Sequence, residues 1–157
     1  MKLSAEYSAG LFDGEGSVYV ARRLPTEDRN YAYYCLKALL GNTNREVLEA
    51  LQETWGGAIS GVCKPKKPQH KQYWHWRLSP KNAVKFFNAI LPFLIIKKAV
   101  VEKALQLQAL HRMGGGHRKY SDEQMAARNA LFLDIRRLNH KGSLPFDPSI
   151  LDLAHMK

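Results

Sequence analysis

Ser8-Ala9-Gly10-Leu11-Phe12-Asp13-Gly14-Glu15-Gly16, running straight into Ser17-Val18-Tyr19-Val20, decides how the rest of this 157-residue chain is read. The first half suits a helix, read over Ala5 to Asp13, and its small residues Ala9 and Gly10 allow a second helix to approach closely. Gly14 and Gly16 let the backbone turn sharply, which leaves the Glu15 carboxylate projecting from the helix end. A carboxylate at a close helix–helix junction is costly unless a cation sits beside it. A divalent metal is the cation this reading supplies.

Charge points to the partner. The chain has 24 Lys and Arg against 14 Asp and Glu, a formal net charge of +10. Such an excess matches a polyanion, nucleic acid first. Its distribution is uneven: Thr54 to Val101 contains no acidic residue but holds Lys64, Lys66, Lys67, Lys71, Arg77, Lys81, Lys85, Lys97 and Lys98. The 45% hydrophobic share is enough for a real core, and the length suits one domain. Cys35 and Cys63 are too few and too distant for a zinc motif or a disulfide framework, which fits a reducing compartment. No run approaches the roughly 20 apolar residues of a membrane span, and no targeting peptide is seen. The expectation is a soluble intracellular protein, in cytoplasm or organelle, without a membrane partner.

Hydrophobic periodicity organises the chain as αββαββα, with further helices at the C-terminal end. Ser17 to Arg23 alternates, with Val18 and Val20 on one face and Ser17, Tyr19, Ala21 and Arg23 on the other. The polar turn 24–30 leads to a second strand, Tyr31 to Leu40. Asn42-Thr43-Asn44 caps a helix carrying Val47, Leu48, Leu51 and Trp55, ended by Gly56-Gly57. Strands near Ala58–Lys64 and Gln72–Leu78 flank the basic turn Lys64-Pro65-Lys66-Lys67-Pro68. Ser79-Pro80 starts a helix with Val84, Phe87 and Leu91 on its buried face. Pro92 breaks it, and a longer helix follows to about Arg112. After Gly114-Gly115-Gly116, Ser121 and Gln124 form a capping box for a last helix bearing Leu131, Ile135 and Leu138. The expected fold is α+β: a four-stranded antiparallel saddle with helices on one face and the other face open to a duplex. A core over 1–112 and a helical extension over 117–157 make up this single domain.

Ala9 to Ser17 resembles the signature of the LAGLIDADG homing endonucleases, single-motif type. Asn42 to Leu48 resembles the segment after their second strand, and Tyr73 to Pro80 resembles their fourth strand. Leu91-Pro92-Phe93-Leu94-Ile95-Ile96-Lys97 is similar to their "PFL…K" helix entry, and Leu138-Asn139-His140-Lys141-Gly142 to their C-terminal part. Two positions depart from the pattern: Ser8 replaces the opening Leu, and the catalytic acid is Glu15 where Asp is common. A water-organising polar residue falls at Leu40, Gly41 or Asn42.

The resemblance implies a site-specific, intron-encoded homing endonuclease working as a homodimer on a long near-palindromic double-stranded target. It would cut across the minor groove and leave short 3′ overhangs. Glu15 and Lys97 are the implied catalytic residues, with Glu15 and the Gly14 carbonyl as metal ligands. Mg2+ is the implied cofactor, with Mn2+ an alternative and Ca2+ able to bind without supporting cleavage. Ala9, Gly10, Phe12 and Asp13 would pack the dimer interface, although Asp13 also reads as structural at the helix end. Two alternatives stay open: an RNA maturase acting on its own intron, and a catalytically silent DNA-binding protein. A β-ribbon fits the major groove. On it, Ser17, Tyr19, Arg23, Arg29, Tyr31, Tyr33, Lys37, Lys64, Lys66 and Lys67 are the DNA-facing candidates. In strand four, inward Trp76 and Leu78 would turn Lys71, Tyr73, His75 and Arg77 to the DNA; the opposite register would turn Gln72 and Trp74 there. Lys141 suits a phosphate contact. A His-metal finger, a phosphate-binding loop and a calcium loop all lack their required residues.

Overall fold

The computed structural model describes residues 1–24, 27, 32–61, 71–113 and 120–140. Helix α1 (Ala5–Glu15) leads into β1 (Gly16–Arg23), β2 (Tyr33–Asn42) and α2 (Arg45–Trp55). Strands β3 (Ala58–Gly61) and β4 (Trp74–Leu78) precede α3 (Pro80–Ile90), α4 (Lys98–Met113) and α5 (Asp122–Leu138). The strands form one antiparallel sheet in the order β1-β2-β4-β3. This is the expected α+β saddle. Expected strand positions at Tyr31 and 62–64 lie outside the described residues, and β4 begins at Trp74 rather than Gln72.

Register separates the two faces. Val18 lies opposite Ala38, Val20 opposite Leu36, and Leu40 opposite Trp76. These side chains point to the helices and are buried with Phe12, Leu48, Leu51, Phe86, Phe87 and Ile90 in one continuous core. Phe12 carries α1 into that core, edge-on to Phe86 and Phe87 with ring centroids 5.4 Å away in each case. The buried Ser8 hydroxyl donates to the Ser4 carbonyl at 2.8 Å and accepts the Trp55 indole N–H at 3.0 Å. A leucine there would leave that indole without its partner.

Four sequence expectations change. Helix α1 continues through Gly14 to Glu15, because glycine with ordinary φ does not stop a helix. Its end falls at Gly16, whose N–H bonds the Phe12 carbonyl and whose missing side chain makes room for the Phe12 ring. The long helix starts at Lys98 rather than Pro92; a 3-10 turn (Leu91–Phe93) and an irregular stretch intervene. On α3 the buried positions are Ala83, Phe86, Phe87 and Ile90, while Val84 and Leu91 are half-buried. On α5 they are Arg128, Phe132 and Ile135, and Leu138 is exposed. The 100° step per residue rotates these faces by one position from the leucine-based reading.

Local chemistry fixes the remaining ends. Asn44 accepts the N–H groups of Glu46 and Val47 and so caps α2, Ser79 caps α3, and Ser121 with Gln124 forms the capping box of α5. Gly57 has φ +97°, and a β-carbon there would meet the Arg77 carbonyl. Gly57→Ala is therefore expected to cost about 2 kcal/mol in urea unfolding, with an unchanged slope. The edges of the sheet are protected: β3 is only four residues long, and the Asn139 amide donates to the Val18 carbonyl of β1 at 2.8 Å.

Candidate nucleic-acid interface

The face of the sheet away from the helices carries a row from each strand. Ser17, Tyr19, Ala21 and Arg23 of β1 lie opposite Leu39, Lys37, Cys35 and Tyr33 of β2. Arg77 and His75 of β4 sit between Leu39 and Gly41 on one side and Ala58 and Ser60 of β3 on the other. Trp76 and Leu78 point inward, so the register that places His75 and Arg77 outward is the one adopted. Six of the predicted DNA-facing residues thus share one surface: Ser17, Tyr19, Arg23, Lys37, His75 and Arg77. Tyr33 stands in the same row, but its ring packs edge-on against His111 of α4 at 5.2 Å. Lys71 lies beyond the strand, lining a groove with Thr43, Asn44 and Arg45 at the start of α2. Arg29, Tyr31, Lys64, Lys66, Lys67 and Lys141 lie outside the described residues.

The surface is not uniformly open. Gly41 is roofed by the Tyr73 phenol, which occupies the space a β-carbon would need. The Tyr73 ring meets His75 edge-on at 5.2 Å. His75 Nδ1 and Ser60 Oγ, neighbours across the β3–β4 pair, are buried without hydrogen-bond partners. Burial, then the Arg77 charge, holds His75 below the usual imidazole range. Ser60 was absent from the DNA-facing set, yet the inward Ile59 marks it by simple alternation. Of the three water-organising positions, Leu40 is in the core and Gly41 lies under Tyr73. Asn42 accepts the Asn44 N–H at 2.8 Å.

At the margin of this face, α1 delivers its C-terminal end. Gly14 and Glu15 are exposed, and the last turn holds no basic residue. The negative end of the helix dipole therefore adds to the Glu15 charge instead of offsetting it. Glu15 has no hydrogen bond or ion pair among the described residues. One residue before Gly14, the buried Asp13 carboxylate accepts the backbone N–H groups of Ile95, Ile96 and Lys97 at 2.7, 3.1 and 2.9 Å. The Lys97 ammonium returns to the Asp13 carbonyl. Burial pushes the Asp13 carboxyl up, but those three N–H groups and the Lys97 charge outweigh it and hold it below the usual carboxylate range. This clamp explains why α4 starts late: the acid captures the N–H groups of 95–97 in place of a helical turn. It also brings Lys97 to the helix end that carries Glu15.

The donor set suits a hard cation only in part. Glu15 and the exposed Gly14 backbone offer oxygen ligands of the type Mg2+ and Ca2+ take. Among the described residues no cluster of three or more His, Cys, Asp or Glu exists. One chain thus supplies a fraction of a coordination shell that normally needs six or more oxygens.

Neither a sequence-family profile nor a curated protein matches the chain. Solved structures do. An archaeal intron-encoded homing endonuclease, I-Vdi141I, complexed with DNA, superposes with TM-score 0.69 at 21% identity, over 95% of this chain and 94% of that one. The homing endonuclease I-TnaI gives TM-score 0.66 at 18% identity, over 90% and 92%. The LAGLIDADG homing endonuclease I-SmaMI bound to cleaved DNA gives 0.62 at 13%, over 90% of this chain and 45% of that one. The fold is that of the LAGLIDADG homing endonucleases. Within this LAGLIDADG fold, the chain matches whole proteins such as I-Vdi141I and about half of I-SmaMI.

The interface helix is corrected by the same structure. Ala9 and Phe12 have no exposed surface and Asp13 very little, so these three predicted interface residues belong to the chain's own core and clamp. Only Gly10 of the four is exposed. It shares the outer side of α1 with Tyr7 and Gly14, beyond which Ile95 and Ile96 stand 87% and 76% exposed.

Proposed function

We propose that this protein is a divalent-metal-dependent, site-specific DNA endonuclease acting as a homodimer. The observation that carries the reading is the exposed, unpaired Glu15 at the C-terminal end of α1, beside clamped Lys97 and at the margin of a sheet face bearing Tyr19, Arg23, Lys37 and Arg77. Glu15 and the Gly14 carbonyl of two chains, with phosphate oxygens of the DNA, would complete a shell that one chain leaves short. A bound Mg2+ would supply a polarised phosphate and an activated water there. Lys97, held at the same helix end, would place a positive charge near the developing phosphate charge.

Duplex binding follows from shape and charge. A sheet face of this width suits the major groove, where Arg77 and Lys37 can address base edges. Basic residues off the strands, such as Lys71, suit phosphates. The affinity is expected to fall steeply with salt, as each neutralised phosphate releases counterions.

The outer side of α1 supports the same reading. Gly10 and Gly14 leave that side without side chains beyond Tyr7, so a second copy can approach closely there across a two-fold axis. That contact would cover Tyr7, Ile95 and Ile96, whose exposure a monomer does not explain. It would also bring two Glu15 carboxylates together on one duplex. The half-length match to I-SmaMI is consistent with two copies forming the working unit. Ile96→Asp is expected to convert a sedimenting dimer to monomer and to remove cleavage, with circular dichroism unchanged. A monomeric wild type that cleaves both strands would refute the dimer.

A further inference from the structure

The guanidinium of Arg128 has no role in this cleavage reading, and it is the most demanding polar group among the described residues. It has no exposed surface, and none of Nε, Nη1 and Nη2 has a hydrogen-bond partner among the described residues. Tyr34 of β2 and Tyr120 hold it, with ring centroids 5.2 and 4.1 Å from its central carbon. Those rings offer cation–π attraction. They accept none of the in-plane N–H groups. No described carboxylate pairs with it: Asp134, further along α5, is engaged by Lys103 and Arg137.

Burying a guanidinium with no anion is strongly unfavourable. The neighbours are chosen to suit an anion rather than to replace one. The Tyr120 hydroxyl pairs with His111 Nδ1 at 3.2 Å. The Tyr34 hydroxyl donates to Asn129 Oδ1 at 3.2 Å, which leaves the amide N–H groups of Asn129 as donors. The cluster therefore collects two guanidinium groups, Arg128 and the Arg22 that bonds Tyr34, together with neutral donors, and no competing acid among the described residues. It joins three elements: β2 through Tyr34, α4 through His111, and α5 through Arg128 and Asn129.

We infer that Arg128 anchors a buried oxyanion site at the junction of β2, α4 and α5, taking one small inorganic anion of the phosphate or sulfate class. A guanidinium without exposed surface lies out of reach of a duplex backbone, so the ligand is a free ion and the site is separate from the DNA-facing sheet. Occupancy fastens α5 to the sheet, and α5 in turn secures the β1 edge through Asn139 and Val18.

Inorganic phosphate added to the full chain at constant ionic strength, without DNA, is the test. Wild type is expected to gain about 5 °C or more in Tm at one hundred times Kd. Arg128→Met should lose that gain, whereas Arg77→Ala, on the sheet face, should keep it. In parallel, the Arg128 Nε–Hε resonance of the wild type should shift and saturate during the same titration, a readout that needs no variant. Three results would each overturn the site: no phosphate response in wild type, an equal response in Arg128→Met, or an unmoved Nε–Hε resonance. A response lost in Arg77→Ala but kept in Arg128→Met would assign phosphate to the DNA-facing surface and overturn it as well.

Discussion

Glu15→Gln is expected to lower the DNA cleavage rate by at least about a thousand-fold while leaving DNA affinity nearly unchanged. The substitution keeps the size and the exposed position at the end of α1. It removes the one carboxylate that each chain brings to the proposed metal. Polarisation of the phosphate by a metal is worth several kcal/mol, and each 1.36 kcal/mol corresponds to tenfold in rate. Because Glu15 has no partner among the described residues, its neutralisation should not weaken folding, and it removes an unfavourable charge from the helix C-terminus. Thermal unfolding of the variant should accordingly be equal to wild type or slightly higher. Single-turnover cleavage under saturating protein isolates the chemical step. A variant that still cuts at a tenth of the wild-type rate would remove Glu15 from the site.

Asp13→Ala is expected to act on the fold first and on cleavage as a consequence. It strips three backbone N–H groups of an ionised acceptor and releases the stretch that sets Lys97. Hydrogen bonds to charged groups contribute about 1.5–3 kcal/mol each and are not additive, so a loss of about 4 kcal/mol in urea unfolding is expected. The effect should depend on pH. The folded carboxyl lies below its unfolded value, so its stabilisation is complete above the ordinary aspartate range of about 4. It fades as pH falls through the lower, folded value. The difference between wild type and Asp13→Ala should therefore be full at pH 7 and shrink below about pH 4. A difference independent of pH would mean that packing, and not the ionised clamp, holds residues 95–97.

Much of this architecture was legible in the residues. Alternation of Val18 and Val20 with Tyr19 oriented β1, and Asn44, Ser79 and Ser121 announced three helix starts by their capping chemistry. Inward Trp76 and Leu78 chose the outward face of β4. What escaped reading was long-range. Asp13 and Ile95 are 82 positions apart, so no local pattern could show that this acid delays the start of α4. The same blindness put Ala9 and Phe12 in an interface: helical spacing shows that they share a side of α1, but not that Phe86 and Phe87 already occupy it. Gly14 was read as a terminator because glycine so often ends helices, whereas the close approach of the Phe12 ring makes Gly16 the terminator. Arg128 is a charged residue on a helix that looks solvated, and only the packed fold reveals it in the core.

Cleavage of a randomised duplex library, with Mg2+ or with EDTA, followed by sequencing of the ends, tests the central claim most directly. Discrete, Mg2+-dependent double-strand ends with short 3′ overhangs and a near-palindromic consensus are expected. Tight duplex binding without Mg2+-dependent ends, or ends that persist in EDTA, would contradict it.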